Sequence, residues 1–214
     1  ALISTNASIS ATEVFDPNNN PIQWYVGIDR TDFELDGQQG VLVNVTLVHP
    51  AGPNTGIYKI ELLGYDEDNA VSSPFTLSLD VPVLAQTRLE FDYTKIPVHP
   101  SNKTSIDVRL LNLGNGDLGY DLFLESPPGW FAGFDGLSSQ GGANSASTGL
   151  MLEDGQMNIG ISYIPPQVMT LAGAELTVIL RVVSQSEEAK LMYYELPLVV
   201  QEISEVTVDL ESSF

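Results

Sequence analysis

The chain has 214 residues, and its 28 acidic against 8 basic side chains give a net charge of −20. Hydrophobic residues make up 43% of the chain, which excludes an intrinsically disordered protein in spite of the charge. The acidity argues against nucleic acids and anionic membranes as partners, because both are bound through a basic face. Cysteine is absent, which excludes thiol catalysis, disulfides and thiolate metal sites. No apolar run approaches the roughly 20 residues of a membrane-spanning helix.

Apolar and polar residues alternate along most of the chain. This period of two, typical of β-strands, is clearest over the segments 41–48, 58–63, 106–111, 120–125 and 176–183. Gly, Pro, Asn and Asp interrupt the pattern at short, regular spacing, which predicts an all-β fold of the β-sandwich type. Only Ser186–Leu191 has a faintly helical pattern, and this segment is too short for a stable helix.

Two stretches of the sequence occur twice. Residues 23–29 match residues 129–135, with Trp, Gly and Asp in the same places, and Asp-Gly-Gln occurs at 36–38 and at 154–156. The difference between matching residue numbers is larger for the second stretch than for the first, which indicates an insertion in the second copy, rich in small residues, at 136–147. The repeats predict two tandem β-sandwich domains, 1–84 and 85–201, with an extra C-terminal strand in 202–214.

The second copy resembles a known family. It has an Asn-Leu-Gly-Asn-Gly turn at 112–116, Pro-Pro-Gly-Trp at 127–130 and Asp-Gly at 154–155. These motifs are similar to the immunoglobulin-like repeat attached to alpha-galactosidases and to many archaeal and bacterial surface proteins. The second copy departs from the family pattern at Ala174-Glu175, where Tyr is expected, whereas the first copy keeps Gly56-Ile57-Tyr58. The resemblance implies two immunoglobulin-like β-sandwiches that serve as a stalk, spacer or adhesion module.

The two copies differ in the number of strands expected before their tryptophans. Three strands are predicted ahead of Trp130 in the second copy, whereas only 23 residues precede Trp24. We therefore expect the first copy to lack one or two opening strands. Beyond the second copy, Val206, Val208 and Leu210 alternate with polar residues, like the opening strand of that copy. This assembly strand is expected to complete the first copy of the next molecule, head to tail; alternatively, the first domain is simply abbreviated.

Catalytic motifs are not evident, and we predict that the chain is not an enzyme. The Gly-x-Gly-x-x-Gly pattern at 114–119 precedes a strand rather than the helix that a dinucleotide site needs, so a hairpin turn is favoured. His49 and His99 each precede a proline and lack the paired spacing of a zinc site. No Gly-x-Ser-x-Gly elbow is present.

One acidic turn is a candidate calcium site. Asp66, Asp68 and Asn69 bring oxygen ligands together between two predicted strands, and 16–20 is a weaker candidate with the same chemistry. Neither has the spacing of an EF-hand loop, so a solvated hairpin tip remains the alternative. Calcium is the only cofactor that the sequence suggests.

Three N-glycosylation sequons begin at Asn6, Asn44 and Asn102. Together with the acidity they favour an extracellular or cell-surface location. Trp24 and Trp130 occupy equivalent places in the two copies, which favours a role in each core over sugar stacking.

These observations favour a non-catalytic structural module of an extracellular surface layer, stalk or filament. Its partners would be other copies of itself or neighbouring domains of the same surface protein. The alternative is an accessory or carbohydrate-binding module of a secreted hydrolase, in which a tryptophan contacts glycans.

Overall fold

The structure is a computed structural model that describes residues 4–36, 40–49, 52–66, 70–100, 102–137, 142–166 and 172–202. Within these ranges every regular element is a β-strand, so the all-β prediction is confirmed. The chain divides after Leu84 into two compact units, here called unit 1 and, from Ala85 onward, unit 2. Over the same ranges, no helix has the length and hydropathy needed to cross a membrane.

Unit 1 is a sandwich of one large and one small antiparallel sheet. The large sheet has the order β2-β1-β6-β7, and β4 also pairs with β1, beside its first half. The small sheet contains only β3 and β5 in the described part of the chain. The strands are β1 (Ser4–Phe15), β2 (Pro21–Ile22), β3 (Tyr25–Ile28), β4 (Asp32–Asp36), β5 (Val45–Val48), β6 (Gly56–Asp66) and β7 (Val71–Val81).

The core of unit 1 is small. Val14, Ile60 and Leu62 are buried, and Trp24 and Leu79 are among the partly buried side chains that pack against them. Alternation explains this arrangement, because every second residue of β1 and β6 faces the small sheet. The core therefore lies only where β3 and β5 cover the large sheet.

Unit 2 is a complete two-layer sandwich. One sheet has the order β12-β14-β10-β8, and the other has the order β13-β11-β15-β16-β9. All pairs are antiparallel except β9 with β16. The strands are β8 (Thr87–Glu90), β9 (Ile96–Val98), β10 (Thr104–Asn112), β11 (Leu118–Glu125), β12 (Phe131–Asp135), β13 (Ser145–Met151), β14 (Gln156–Ile164), β15 (Glu175–Ser184) and β16 (Leu191–Val200).

The core of unit 2 is extensive. Tyr120 and Tyr163 are fully buried among Leu, Ile and Val side chains from both sheets. Trp130 and Phe134 are partly buried and pack against this cluster. Burial of so many side chains makes unit 2 the better-packed of the two units.

The two units share a connectivity. A strand follows each tryptophan and pairs with the next strand but one, β3 with β5 and β12 with β14. The run β4-β1-β6-β7 corresponds to β13-β11-β15-β16. The first three strands of unit 2, β8 to β10, have no counterpart among the described residues of unit 1. Since β2 has no counterpart in the described part of unit 2, four strands precede Trp130 and two precede Trp24, a difference of two, within the one or two that were expected.

Several sequence-based predictions differ from the structure in detail. The alternating segment 41–48 is a strand only over Val45–Val48. The segment Ser186–Leu191, which is too short for a stable helix, forms a loop that ends where β16 begins at Leu191, and the amide of Lys190 donates to Ser184 Oγ at 2.7 Å. The insertion proposed at 136–147 overlaps β13, which begins at Ser145.

Candidate assembly surface

An apolar groove of about 820 Å³ lies on the large sheet of unit 1. Its lining comes from β1, β4, β6 and β7, and from residues 40–45, which precede and enter β5. Among the described lining residues, Asp66 alone is charged. The apolar side chains that line the groove include Ile9, Phe33, Leu35, Val41, Leu42, Leu62, Phe75 and Leu77.

Exposure of this groove is unusual for residues of a sandwich interior. Leu77 lies opposite Ile60 in unit 1, and Leu196 lies opposite Val178 at the equivalent place in unit 2. Leu77 is 41% exposed, whereas Leu196 is fully buried. Phe75, two residues before Leu77 on the same face, is 42% exposed. The difference follows from β8, β9 and β10, which complete unit 2 and lack counterparts in the described part of unit 1.

In the described part of the chain, the small sheet of unit 1 also has an open edge beside β5. In unit 2, β14 pairs with β12 over Gly160–Ile164, and its first residues, Gln156–Ile159, pair with β10 alone. The equivalents of those first residues are Gly40–Val43, which are not in a strand. We infer that Gly40–Val43 would become a strand only with a partner strand beside it, in the position that β10 occupies beside β14 in unit 2. This explains why the alternating pattern of 41–48 produces a strand only at its end.

The groove can bind an extended chain but has little means for catalysis. A strand added at its edge would pair with exposed backbone groups and would cover apolar side chains. Its sparse charge and apolar lining favour apolar side chains as ligands. The sequence alone did not identify the residues of this groove, because alternation shows which face of a strand is apolar but not whether a second layer of strands covers that face.

The turn motif of the second copy is a buried structural element. Asn112 is fully buried, and its Nδ2 donates to the carbonyl oxygens of Gly116 at 3.0 Å and Leu152 at 3.1 Å. Its Oδ1 accepts from the amide of Gly114 at 3.1 Å and from the hydroxyl of Tyr120 at 2.7 Å. The Gly-x-Gly-x-x-Gly pattern at 114–119 leads into strand β11. These contacts give the motif a structural role in joining two turns to the core.

The densest polar cluster of unit 2 is at the surface of its four-stranded sheet. Asp135 accepts hydrogen bonds from Ser162 and, at 3.0 Å, from Lys103. These bonds, that from Ser162 foremost, lower the pKa of the Asp135 carboxyl. A carboxylate with a lowered pKa is a weak base, so the cluster is poorly suited to activating a serine.

The calcium candidates are only partly described. Asp66 ends β6 at the β6–β7 hairpin, whereas Asp68 and Asn69 lie outside the described residues. Across the described ranges, no group of three or more His, Asp or Glu side chains is placed to hold a metal. In the weaker candidate, the amide of Asn20 donates to Asp16 at 2.7 Å, and this bond is the main cause of a lowered Asp16 pKa. Calcium binding at 66–69 stays a prediction.

The three sequons lie in different surroundings. Asn6 is exposed on β1, and Asn102 is exposed in a bend between two strands. Asn44 is also exposed, but its Nδ2 donates to the Asp29 carboxylate at 2.6 Å. The backbone and side-chain amides of Asn44 lower the pKa of Asp29. Because the Asn44 amide is held by this carboxylate, we expect Asn102 to be the better glycan acceptor.

Both tryptophans are partly buried and pack against the core of their own unit. Trp24 stacks on Tyr58, with ring centroids 4.6 Å apart, and contacts His49 at 5.4 Å. His49 belongs to unit 1 and His99 to unit 2. The arrangement matches the core role expected for both tryptophans.

The predicted assembly strand cannot be compared with the structure. Val206, Val208 and Leu210 lie outside the described residues. What the structure does describe is the surface that such a strand would cover.

Comparisons with known proteins assign no family. Neither a family model nor a curated protein matches the sequence. The resemblance of the second copy to the alpha-galactosidase-associated repeat therefore stays a prediction.

Similar folds are found among solved structures of bacterial proteins. Domains 4 and 5 of the S-layer protein SbsC are 14% identical, with 90% of this chain and 99% of that chain covered and a TM-score of 0.34. The major pilin subunit BcpA of Bacillus cereus is 9% identical, with 92% and 64% covered and a TM-score of 0.32. A Porphyromonas gingivalis W83 protein of unknown function is 13% identical, with 91% and 85% covered and a TM-score of 0.34. At these values the similarities assign no function.

Proposed function

We propose that this chain is a non-catalytic structural module of an extracellular surface assembly, such as a surface layer, stalk or filament. The observation that carries the proposal is the uncovered apolar groove of unit 1, beside the open edge of β5. A soluble domain that exposes a contiguous apolar face of this kind usually binds another protein through it. The acidic surface and the sequons agree with an extracellular location.

The groove favours assembly over chemistry. Polar groups that could orient a substrate are scarce along it, and open strand edges are suited to pairing with another chain. A module that joins to its neighbours by such edges needs no cofactor. Its surface charge then keeps unassembled copies soluble.

Assembly of the full chain tests this function. We expect concentration-dependent oligomers in analytical ultracentrifugation and ordered particles by electron microscopy. Val41→Glu should abolish them, because Val41 lines the groove and is exposed at 36%, so the change should cost little in folding. Leu150→Glu in unit 2 is the matched control, since Leu150 is also exposed. Monomers at all concentrations, or equal effects of both substitutions, would refute the proposal.

Carbohydrate binding is the second candidate, and one observation favours it. Trp24 borders a cleft of about 560 Å³ that is also lined by the polar residues Thr12, Glu13 and Gln23. Polar groups beside an aromatic ring are typical of sugar sites. Quenching of Trp24 fluorescence by polysaccharides, lost in Glu13→Ala, would support this candidate, and no response across a glycan array would oppose it.

A further inference from the structure

We propose that the groove of unit 1 accepts residues 203–214 of a second copy of the chain as an added β-strand. The strand would lie beside β5, in the place that β10 takes beside β14 in unit 2. This inference deepens the proposed function and rests on it, because it names the partner and the register through which copies join.

The vacancy beside β5 matches one strand. In unit 2, the inward side chains of β10 are Ile106, Val108 and Leu110, which are 8%, 2% and 0% exposed. They supply much of the cover for the opposite sheet, to which Leu196 belongs. A strand with the same alternation in unit 1 would cover Leu77 and Phe75 in the same way, and it would pair with the open edge of β5.

The C-terminal segment has the alternation that this place requires. Its sequence Val206-Thr207-Val208-Asp209-Leu210 puts branched apolar residues at the three inward positions and polar residues between them. The β10 sequence Ile106-Asp107-Val108-Arg109-Leu110 has the same pattern. The segment contains no proline, so each residue has an amide that can pair with β5.

The segment has no equivalent vacancy in its own unit 2. The place beside β14 is taken by β10, and the place beside β16 is taken by β9. Its apolar side chains therefore need a partner surface elsewhere, which unit 1 of another copy provides.

The geometry of unit 2 favours a second copy over the same chain. Gln86, where the chain enters unit 2, accepts a hydrogen bond from Leu113 at the end of β10. Gln201, where the chain leaves β16, donates to the carbonyl oxygen of Val98. The amide of the next residue, His99, donates to the hydroxyl of Thr104, which lies at the start of β10. Entry and exit thus lie at opposite ends of β10, a separation of about 27 Å at about 3.3 Å per residue.

The connection is too short to return over that distance. The step from Gln201 to Val206 spans at most about 18 Å when fully extended. Val206 therefore cannot return to the end of unit 2 at which the chain enters it. A contact between the exit end of one copy and unit 1 of the next is head to tail, and it propagates as a filament.

The equivalence of the two sheets fixes the register. Ile28 pairs with Val45 as Phe134 pairs with Ile161, so Val45 corresponds to Ile161. In unit 2, Arg109 lies opposite Asn158, which corresponds to Leu42. Asp209 in the place of Arg109 should therefore lie opposite Leu42.

Charge makes this association dependent on salt. The segment from Glu202 onward contains four acidic residues and no basic one, and Arg30 and Lys59 are the only basic residues of unit 1. Like charges repel over a Debye length of about 30 Å at 0.01 M salt and about 8 Å at 0.15 M. We therefore expect tighter association at the higher ionic strength.

Paired substitutions in the full chain test the occupant. Val208→Asp should weaken association at least about tenfold in analytical ultracentrifugation, because it places a charge on the inward face. Thr207→Asp adds the same charge to the outward face and should change association much less. Equal effects of the two substitutions would overturn the strand proposal.

Disulfide crosslinking tests the register and the partner. The chain has no cysteine, so Leu42→Cys and Asp209→Cys can be introduced singly and the two variants mixed under oxidation. We expect a crosslinked dimer of the two variants, and no such dimer when Leu150→Cys replaces Leu42→Cys. An intramolecular disulfide in the double variant, without crosslinks between copies, would overturn the proposal.

The two levels of the proposal fail in different ways. If Val41→Glu abolishes assembly but Val208→Asp does not, another occupant fills the groove and only the strand proposal is wrong. If the unaltered chain is monomeric at every concentration and ionic strength, the proposed function fails as well.

Discussion

Replacement of Asn112 by alanine should strongly destabilise unit 2. The amide of Asn112 is completely buried and bonds two turns and the hydroxyl of Tyr120. Alanine removes these bonds and leaves the Tyr120 hydroxyl and the Gly116 carbonyl oxygen buried without this partner, whereas the Leu152 carbonyl keeps its bond from the amide of Gly155. An unsatisfied buried polar group costs about 1–3 kcal/mol, so we expect a total loss of about 4 kcal/mol.

Two tyrosine substitutions give matched controls for this loss. Tyr120→Phe removes one hydroxyl but leaves Asn112 Oδ1 with the amide of Gly114, so it should cost about 1–2 kcal/mol. The Tyr163 hydroxyl is buried and has no hydrogen-bond partner among the described residues. Tyr163→Phe should therefore be neutral or slightly stabilising.

Urea unfolding followed by tryptophan fluorescence measures these changes. In a Trp24→Phe background, Trp130 is the only tryptophan and reports on unit 2. The double variant with Asn112→Ala and Tyr120→Phe should lose less than the sum of the two single losses, because both remove the same bond. A loss below about 1 kcal/mol for Asn112→Ala, or full additivity in the double variant, would refute the reasoning.

Four further outcomes are expected. Burial raises the pKa of Tyr120 from 10.0 to about 12, so its contribution to stability is complete below pH 10 and is lost as the pH rises to 12. Because burial also raises the pKa values of Tyr163 and Tyr194 in unit 2, the Tyr120 share, about 3 kcal/mol, should be the part of the loss in urea unfolding that Tyr120→Phe removes. Trp130→Ala should cost unit 2 about 3 kcal/mol in the same assay, and a loss below about 1 kcal/mol would indicate a surface role. Mass spectrometry of native material should find more glycan at Asn102 than at Asn44. If the 66–69 turn binds calcium, chelation should lower the melting temperature and Asp68→Asn should remove that response. An unchanged melting curve would show that the turn is only a solvated hairpin tip.

Alternation predicted the strands that are covered on one face, but it failed where pairing depends on distant partners. Residues 41–44 have the same alternation as Val45–Val48, yet only the latter form a strand, because they alone pair with β3. Strand β9 was missed because it is three residues long, contains Pro97, and forms by parallel pairing with β16. Local sequence carries no signal of either partner.

The candidate site was accessible to sequence reasoning only through comparison of the two copies. A count of strands before each tryptophan indicated a vacancy in the first copy. It did not show which residues the vacancy would expose. Phe75 and Leu77 look like ordinary core residues of a sheet, and only the absence of a covering layer in the described structure makes them a surface.

The parallel pairing of β9 with β16 has a mechanical consequence. A chain under tension pulls unit 2 at its entry, before β8, and at its exit, after β16. Parallel strands pulled from opposite ends are loaded in shear, so the hydrogen bonds from Leu198 to Val200 resist together instead of opening one after another. Along a stretched polymer of such subunits, these bonds would help unit 2 to keep its length.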